Sequence, residues 1–257
     1  MGAPDLAYAF SQARLQARFG MRPAASEWQH IAATRDLGAL LQLLRDGSLA
    51  RWTERLATRP AIHEIERRLR EEWTVAVDEV AGWQPEPWRP ATRWMRWIPY
   101  LPSLQKLARG GRAPAWMRAD PVLGPIVARE PRERGPGLAR TPLAPLSRGF
   151  GRPADVHGAW VKHWQSLWPD SGPARAPLER LLRTLRAHRT RIAAAPPEAR
   201  STDTLESLDR QLGLLFRRNP LSPAACAAYL CLLALDVRRL RGALAVRALR
   251  DAPVVPP

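Results

Sequence analysis

AAYLCLLALDVRRLRGAL, residues 227–244, is the stretch on which the fold turns. At 100° per residue Tyr229, Leu232, Leu233, Val237, Leu240 and Leu244 fall on one apolar stripe, while Arg238 and Arg241 point away from it. The spacing predicts a long helix over 223–250, capped by Ser222, with Pro223 at its first position, where a missing N–H costs nothing. Asp236 breaks the pattern: the only carboxylate of the stretch lies in the middle of the stripe. A buried carboxylate needs a partner, because desolvation without one is expensive. The candidates are Arg239 at the stripe edge, Arg14 on the first helix, and Arg247 on the same face three turns on. A bond from Arg14 would fix the register of the first and last helices. The alternative is an exposed helix end with Asp236 hydrated.

Working outward, the same period recurs. Residues 5–19 carry Leu6, Phe10, Ala13 and Ala17 on one side and Tyr8, Leu15 and Phe19 on the other, the pattern of a helix sandwiched in a bundle. Pro23 ends it, and Ser26 is the expected cap of a short helix over 26–33. Leu37, Leu40, Leu41 and Leu44 form one face of a helix over 35–46, stopped by Gly47, and a short helix follows from Leu49 to Leu56. Ile62, Ile65, Leu69, Trp73, Val77 and Val80 step by three or four through 61–81, and Gly82 is the expected stop. Further helices are expected over 156–168, 177–193 and 202–218. No segment alternates with period two over a useful length. The fold class is therefore all-α, a multi-helix bundle with a Pro-rich irregular middle.

That middle holds Pro85, Pro87, Pro90, Pro99 and Pro102, which exclude a long helix before Ser103. Residues 103–109 allow two helical turns before GGRAP, and 128–154 read as a linker or mobile loop. The expected organisation is an N-terminal lobe over 1–82, an irregular crossover over 83–154, a C-terminal lobe over 155–250 closing on the first, and a tail over 251–257. Trp83, Trp88, Trp94 and Trp97 are interleaved with arginines in the crossover. Such a segment can stack bases, rest at a membrane interface, or fill gaps between helices.

The chain has 257 residues, 46% of them hydrophobic, enough for a sizeable core. Its net charge is +16, and Lys106 and Lys162 are the only lysines among 40 Lys and Arg residues. A composition rich in Arg, Ala and Pro and poor in Lys is what a GC-rich genome writes. The resulting field favours an acidic partner whatever its origin. Cys226 and Cys231 share one helix at a spacing unsuited to a disulfide, which suggests a reducing compartment. No secretory signal is visible at MGAPDLAYAF. The uncharged run from Asn219 to Leu235 is too short to span a bilayer, which takes about 20 apolar residues.

No phosphate-binding loop, Rossmann glycine pattern or nucleophile elbow is present. His30, His63, His157, His163 and His188 have no partner at ligand spacing and read as surface or packing residues. No catalytic, cofactor-binding or metal-ligating residues are assigned, and no cofactor is expected. The interface candidates are Tyr8, Arg18, Trp94, Arg96, Trp97, Arg183 and Arg186.

LAYAFSQARLQARFG, Leu6 to Gly20, resembles the opening of the C/d subunit of V-type and archaeal-type rotary ATPases, on Tyr8, Ala9, Ala13, Arg14 and Arg18. Residues 36–57 and 61–77 resemble the helices that follow in that family. Residues 219–249 are similar to its final helix, with Asp236, Arg239, Leu240 and Arg241 at the acid–Leu–Arg motif and Asp standing where the family usually has Glu. The resemblance implies a non-catalytic, funnel-like helical subunit of the central stalk, a multi-helix bundle of repeated helical lobes. It would lie between the membrane rotor ring and the central shaft and couple them during ion or proton transport. Its partners would be those subunits and an anionic membrane surface, its place the cytoplasmic face of the membrane. The other reading of the charge is a basic helical nucleic-acid-binding protein.

Overall fold

The computed structural model describes residues 3–150, 155–170, 172–194 and 202–251. Among them every regular element is a helix. In the N-terminal third these are α1 (Ala3–Gly20), α2 (Ala25–Ala33), α3 (Leu37–Arg45), α4 (Ala50–Thr53) and α5 (Ile62–Trp83). The middle holds α6 (Arg89–Trp94), α7 (Leu101–Ala108), α8 (Trp116–Ala119), α9 (Gly124–Val127), α10 (Arg134–Leu138) and α11 (Asp155–Ser166). The last third holds α12 (Gly172–Ala194), α13 (Thr202–Arg218) and α14 (Pro223–Asp251).

Two local expectations are corrected. Ser26 lies inside α2, whose N-cap is Ala24 with no side-chain hydrogen bond. Helix α5 runs through Gly82 to Trp83, and its end is set at Gln84, whose ψ of 151° is the extended state that Pro85 imposes on the residue before it.

The chain forms two compact units, Met1–Thr92 with Asp170–Pro257, and Arg93–Pro169. Boundaries thus fall at 92/93 and 169/170 rather than at 82 and 154, and α11 belongs with the middle segment.

In the first unit α14 packs against α1, α3, α5, α12 and α13. Its residues Pro223–Leu232 are buried without interruption, and from Leu235 onward burial follows one face. A helix apolar all round must be central, which is why the first turns are Ala- and Leu-rich with small thiols at Cys226 and Cys231. Both thiols are free, and burial pushes each up to about 12. The turn into α14 places Leu221 at φ 55°, and its N–H donates to Gln12 Oε1 of α1 at 3.1 Å.

The second unit is made of short pieces. Helix α7 ends in a Schellman motif: Gly110, at φ 75°, donates to Leu107 O, and Gly111 donates to Lys106 O. The expected linker over 128–154 is packed structure through Phe150, and 151–154 lie outside the described residues. Leu138, Leu143 and Leu146 are fully buried, in or beside α10 and the 3-10 turn Ala144–Gly149. Prolines and glycines restart the chain every few residues, so the apolar positions have no constant spacing, yet α8 still buries Met117, α9 Ile126 and α10 Leu138. The tail beyond Asp251 also lies outside the described residues.

Candidate functional site

Asp236 is 1% exposed, so the hydrated alternative does not hold. Its partner is Arg22, which sits just past the end of α1. Arg22 Nε donates to Asp236 Oδ2 at 2.7 Å and Nη2 to Oδ1 at 3.0 Å. The same Nη2 donates to Asp209 Oδ1 of α13 at 2.6 Å. One guanidinium therefore ties the turn after α1 to both α13 and α14 in a two-point ion pair with a shared third member. Burial works against the charge on Arg22, but the bonds and charges of Asp236 and Asp209 outweigh it and hold its pKa above the ordinary value. Burial pushes the Asp236 carboxyl up, against the pull of Arg22.

The two residues expected as partners do other work. Arg14 lies over the rings of Phe10 and Trp83, at 4.7 and 5.7 Å. Arg239 lies over Trp28 at 5.7 Å, near enough to Asp236 to favour its charge without bonding to it. Arg22 was missed because it lies outside every helical period. The available signal was its position just before Pro23, where a turn carries a side chain across a helix end.

Arg247, the third candidate, is buried and caps α2. Its Nε donates to Thr34 O at 2.6 Å and its Nη2 to Ile31 O at 2.7 Å and Ala32 O at 3.3 Å. These are carbonyls left free by the end of the helix, where the dipole favours a cation. In the second unit Arg134 does the same for α7, donating Nη1 to Leu107 O and Gly111 O.

Beside the Asp236 pair a cavity of about 70 Å³ opens between α1, α4, α5 and α14. Glu79 bridges two arginines there, accepting from Arg18 Nη2 at 2.7 Å and Arg51 Nη1 at 2.8 Å. Burial raises the Glu79 carboxyl, but its bonds and charges to Arg51 and Arg18 outweigh this and hold it below the ordinary range. Tyr229, 4% exposed as a residue, also lines the cavity. Burial pushes its phenol up to about 12, so it is a neutral donor.

The remaining interface candidates are scattered. Trp94 is buried, its Nε1 donating to Trp160 O and its ring edge-on to His163, so it offers no face to a base or a lipid. Trp97 is half-buried against Tyr100 and Arg96 is half-buried. Tyr8 is half-buried with its phenol beside Trp88, raised by burial. Arg183 and Arg186 are exposed on α12, together with Arg180, Arg189 and Arg191. No group of three or more His, Cys, Asp or Glu side chains able to hold a metal occurs among the described residues. No helix there is long and apolar enough to cross a membrane.

No protein-family model matches the chain, and no curated protein or solved structure matches it.

Proposed function

We propose that the chain is a non-catalytic central-stalk subunit of a V-type-like rotary ATPase, coupling a membrane rotor ring to the central shaft. The observation that carries this reading is the Arg22–Asp236–Asp209 bond, which pins the end of the first helix to the last two helices. A part that transmits torque must not let its helices slide. A buried ion pair resists sliding because displacing either partner strands the other charge. The pair also involves the Asp236 that stands at the family-like acid in the final helix.

The experiment is affinity capture of the tagged protein from solubilised membranes of its own cells, after nuclease treatment and in high salt. Recovery of ring and central-shaft subunits is expected. A clean preparation without them would overturn the reading.

The exposed arginines of α12 favour a second reading, a nucleic-acid-binding protein. Neutralising six or more phosphates would make affinity fall about 10³-fold or more between 50 and 200 mM salt. A flat salt response would remove it.

A further inference from the structure

We infer that the cavity beside Asp236 is a binding site for a single phosphoryl group, either free phosphate or the phosphate end of a larger molecule. The inference does not depend on the rotary reading. It starts from hydrogen-bond donors that the fold brings together and leaves unused. Arg18 spends Nη2 on Glu79, Arg51 spends Nη1 on Glu79, and Arg22 spends Nε and Nη2 on Asp236 and Asp209. Arg18 Nε and Nη1, Arg51 Nη2 and Arg22 Nη1 bond to no described residue, and all three side chains line the cavity.

The carboxylates there are in the opposite state. Glu79 accepts from two guanidiniums and Asp236 from a bidentate one, so every oxygen of both carboxylates already accepts one charged hydrogen bond. What remains is a surplus of N–H donors, within a chain whose net charge of +16 raises the local anion concentration.

Tyr229 is the independent sign of a ligand. The residue is 4% exposed, and its hydroxyl has no hydrogen-bond partner among the described residues while the side chain lines the cavity. A buried Tyr ordinarily places its O–H against an acceptor. Here an acceptor is missing in a cavity that three guanidiniums also line. With its phenol pushed up to about 12, Tyr229 donates throughout the neutral range.

Size and stoichiometry choose the ligand. The cavity, about 70 Å³, is far below the roughly 300 Å³ of a pocket for a whole small molecule. A carboxylate offers two oxygens, too few for three guanidiniums and a phenol. A phosphoryl group offers three or four, and guanidinium forks match it. Trp52 and Trp83 line the cavity as well and lower the effective dielectric around the ion.

The test is titration calorimetry of the intact protein with inorganic phosphate, glycerol phosphate and acetate, at an ionic strength held constant with chloride. Saturable phosphate binding is expected, with acetate weaker. Tyr229→Phe should weaken phosphate about tenfold, the usual loss for one hydrogen bond to a charged group. Its melting temperature in chloride should not fall, because the hydroxyl has no partner to lose. Arg183→Ala on α12 removes the same charge from the overall field without touching the cavity and should leave binding unchanged. Phosphate alone binding identifies the free ion, and glycerol phosphate binding equally well identifies a phosphate terminus. No saturable binding, or equal binding by Tyr229→Phe, would leave the cavity holding only water and overturn the site.

Discussion

Arg247 in the first unit and Arg134 in the second are both buried arginines that cap another helix's C-terminus, yet they come from opposite kinds of sequence. Arg247 belongs to a 29-residue helix whose period is plain. Arg134 opens a five-residue helix inside a Pro- and Gly-rich run with no period at all. Arg247 engages four carbonyls, including its own Ala243 O, whereas Arg134 engages two and leaves Nε without a partner. The lesson is that helical period reports helix length, not burial. A buried cation can be served by backbone carbonyls, which every helix end supplies. The buried acid Asp236 has no such general source and depends on one residue, Arg22.

That dependence gives the largest expected effect. Arg22→Leu should destabilise the first unit by about 3–5 kcal/mol, the cost of leaving a buried charge unpaired. The double variant Arg22→Leu/Asp236→Leu should regain much of it. Urea midpoints followed by tryptophan fluorescence would decide, and equal midpoints for the single and double variants would remove the pin.

The contrast between the units is sharpened next by Leu138→Ala. A leucine in a mobile linker would cost almost nothing to truncate. At 0% exposure Leu138 should cost about 2–5 kcal/mol. The readout is hydrogen exchange across residues 101–150.

Arg247→Met should cost about 2 kcal/mol and Arg134→Met about 1 kcal/mol, in proportion to the carbonyls each leaves unserved. Exchange at the last turn of α2 and at the end of α7 would report each loss separately. Equal costs would break the comparison.

The smallest effect is in acid. Glu79 has a folded pKa below its unfolded value, so the stability it adds is present above the ordinary carboxylate range, near pH 4.3. That stability is lost as pH falls through the lowered folded value. Glu79→Gln should therefore unfold less steeply below about pH 4.5 while losing little at neutral pH, the bridge being about a third exposed and screened. Parallel acid-unfolding curves for the two proteins would show that Glu79 does not contribute.

Much of the first unit was legible in the residues. The leucine and tryptophan faces of α3, α5 and α13 are buried where their spacing puts them, including Leu40, Leu44, Ile65, Leu69, Trp73, Leu208 and Leu212. The place of Asp236 on the stripe could also be read, but whether that end of the helix is covered was decided only by packing, which leaves Asp236 1% exposed. Its partner could not be read, since the candidates Arg14, Arg239 and Arg247 lie within expected helices whereas Arg22 lies in a turn. The cavity was not legible at all, because Arg18, Arg51, Glu79 and Tyr229 come from four helices with nothing in common but position. The packing of residues 128–150 was missed because their breakers erase the period that reveals a core.

The sequence by itself determined that the chain is helical, where its long helices run, and that a carboxylate lies on the apolar stripe of the last of them. These follow from local periodicity, a property of neighbouring residues. Only the tertiary structure decided which arginine meets that carboxylate, which carbonyls the buried cations serve, and where unused donors gather. Each of these depends on side chains far apart in the chain arriving within hydrogen-bond distance, and no spacing along a single helix encodes that.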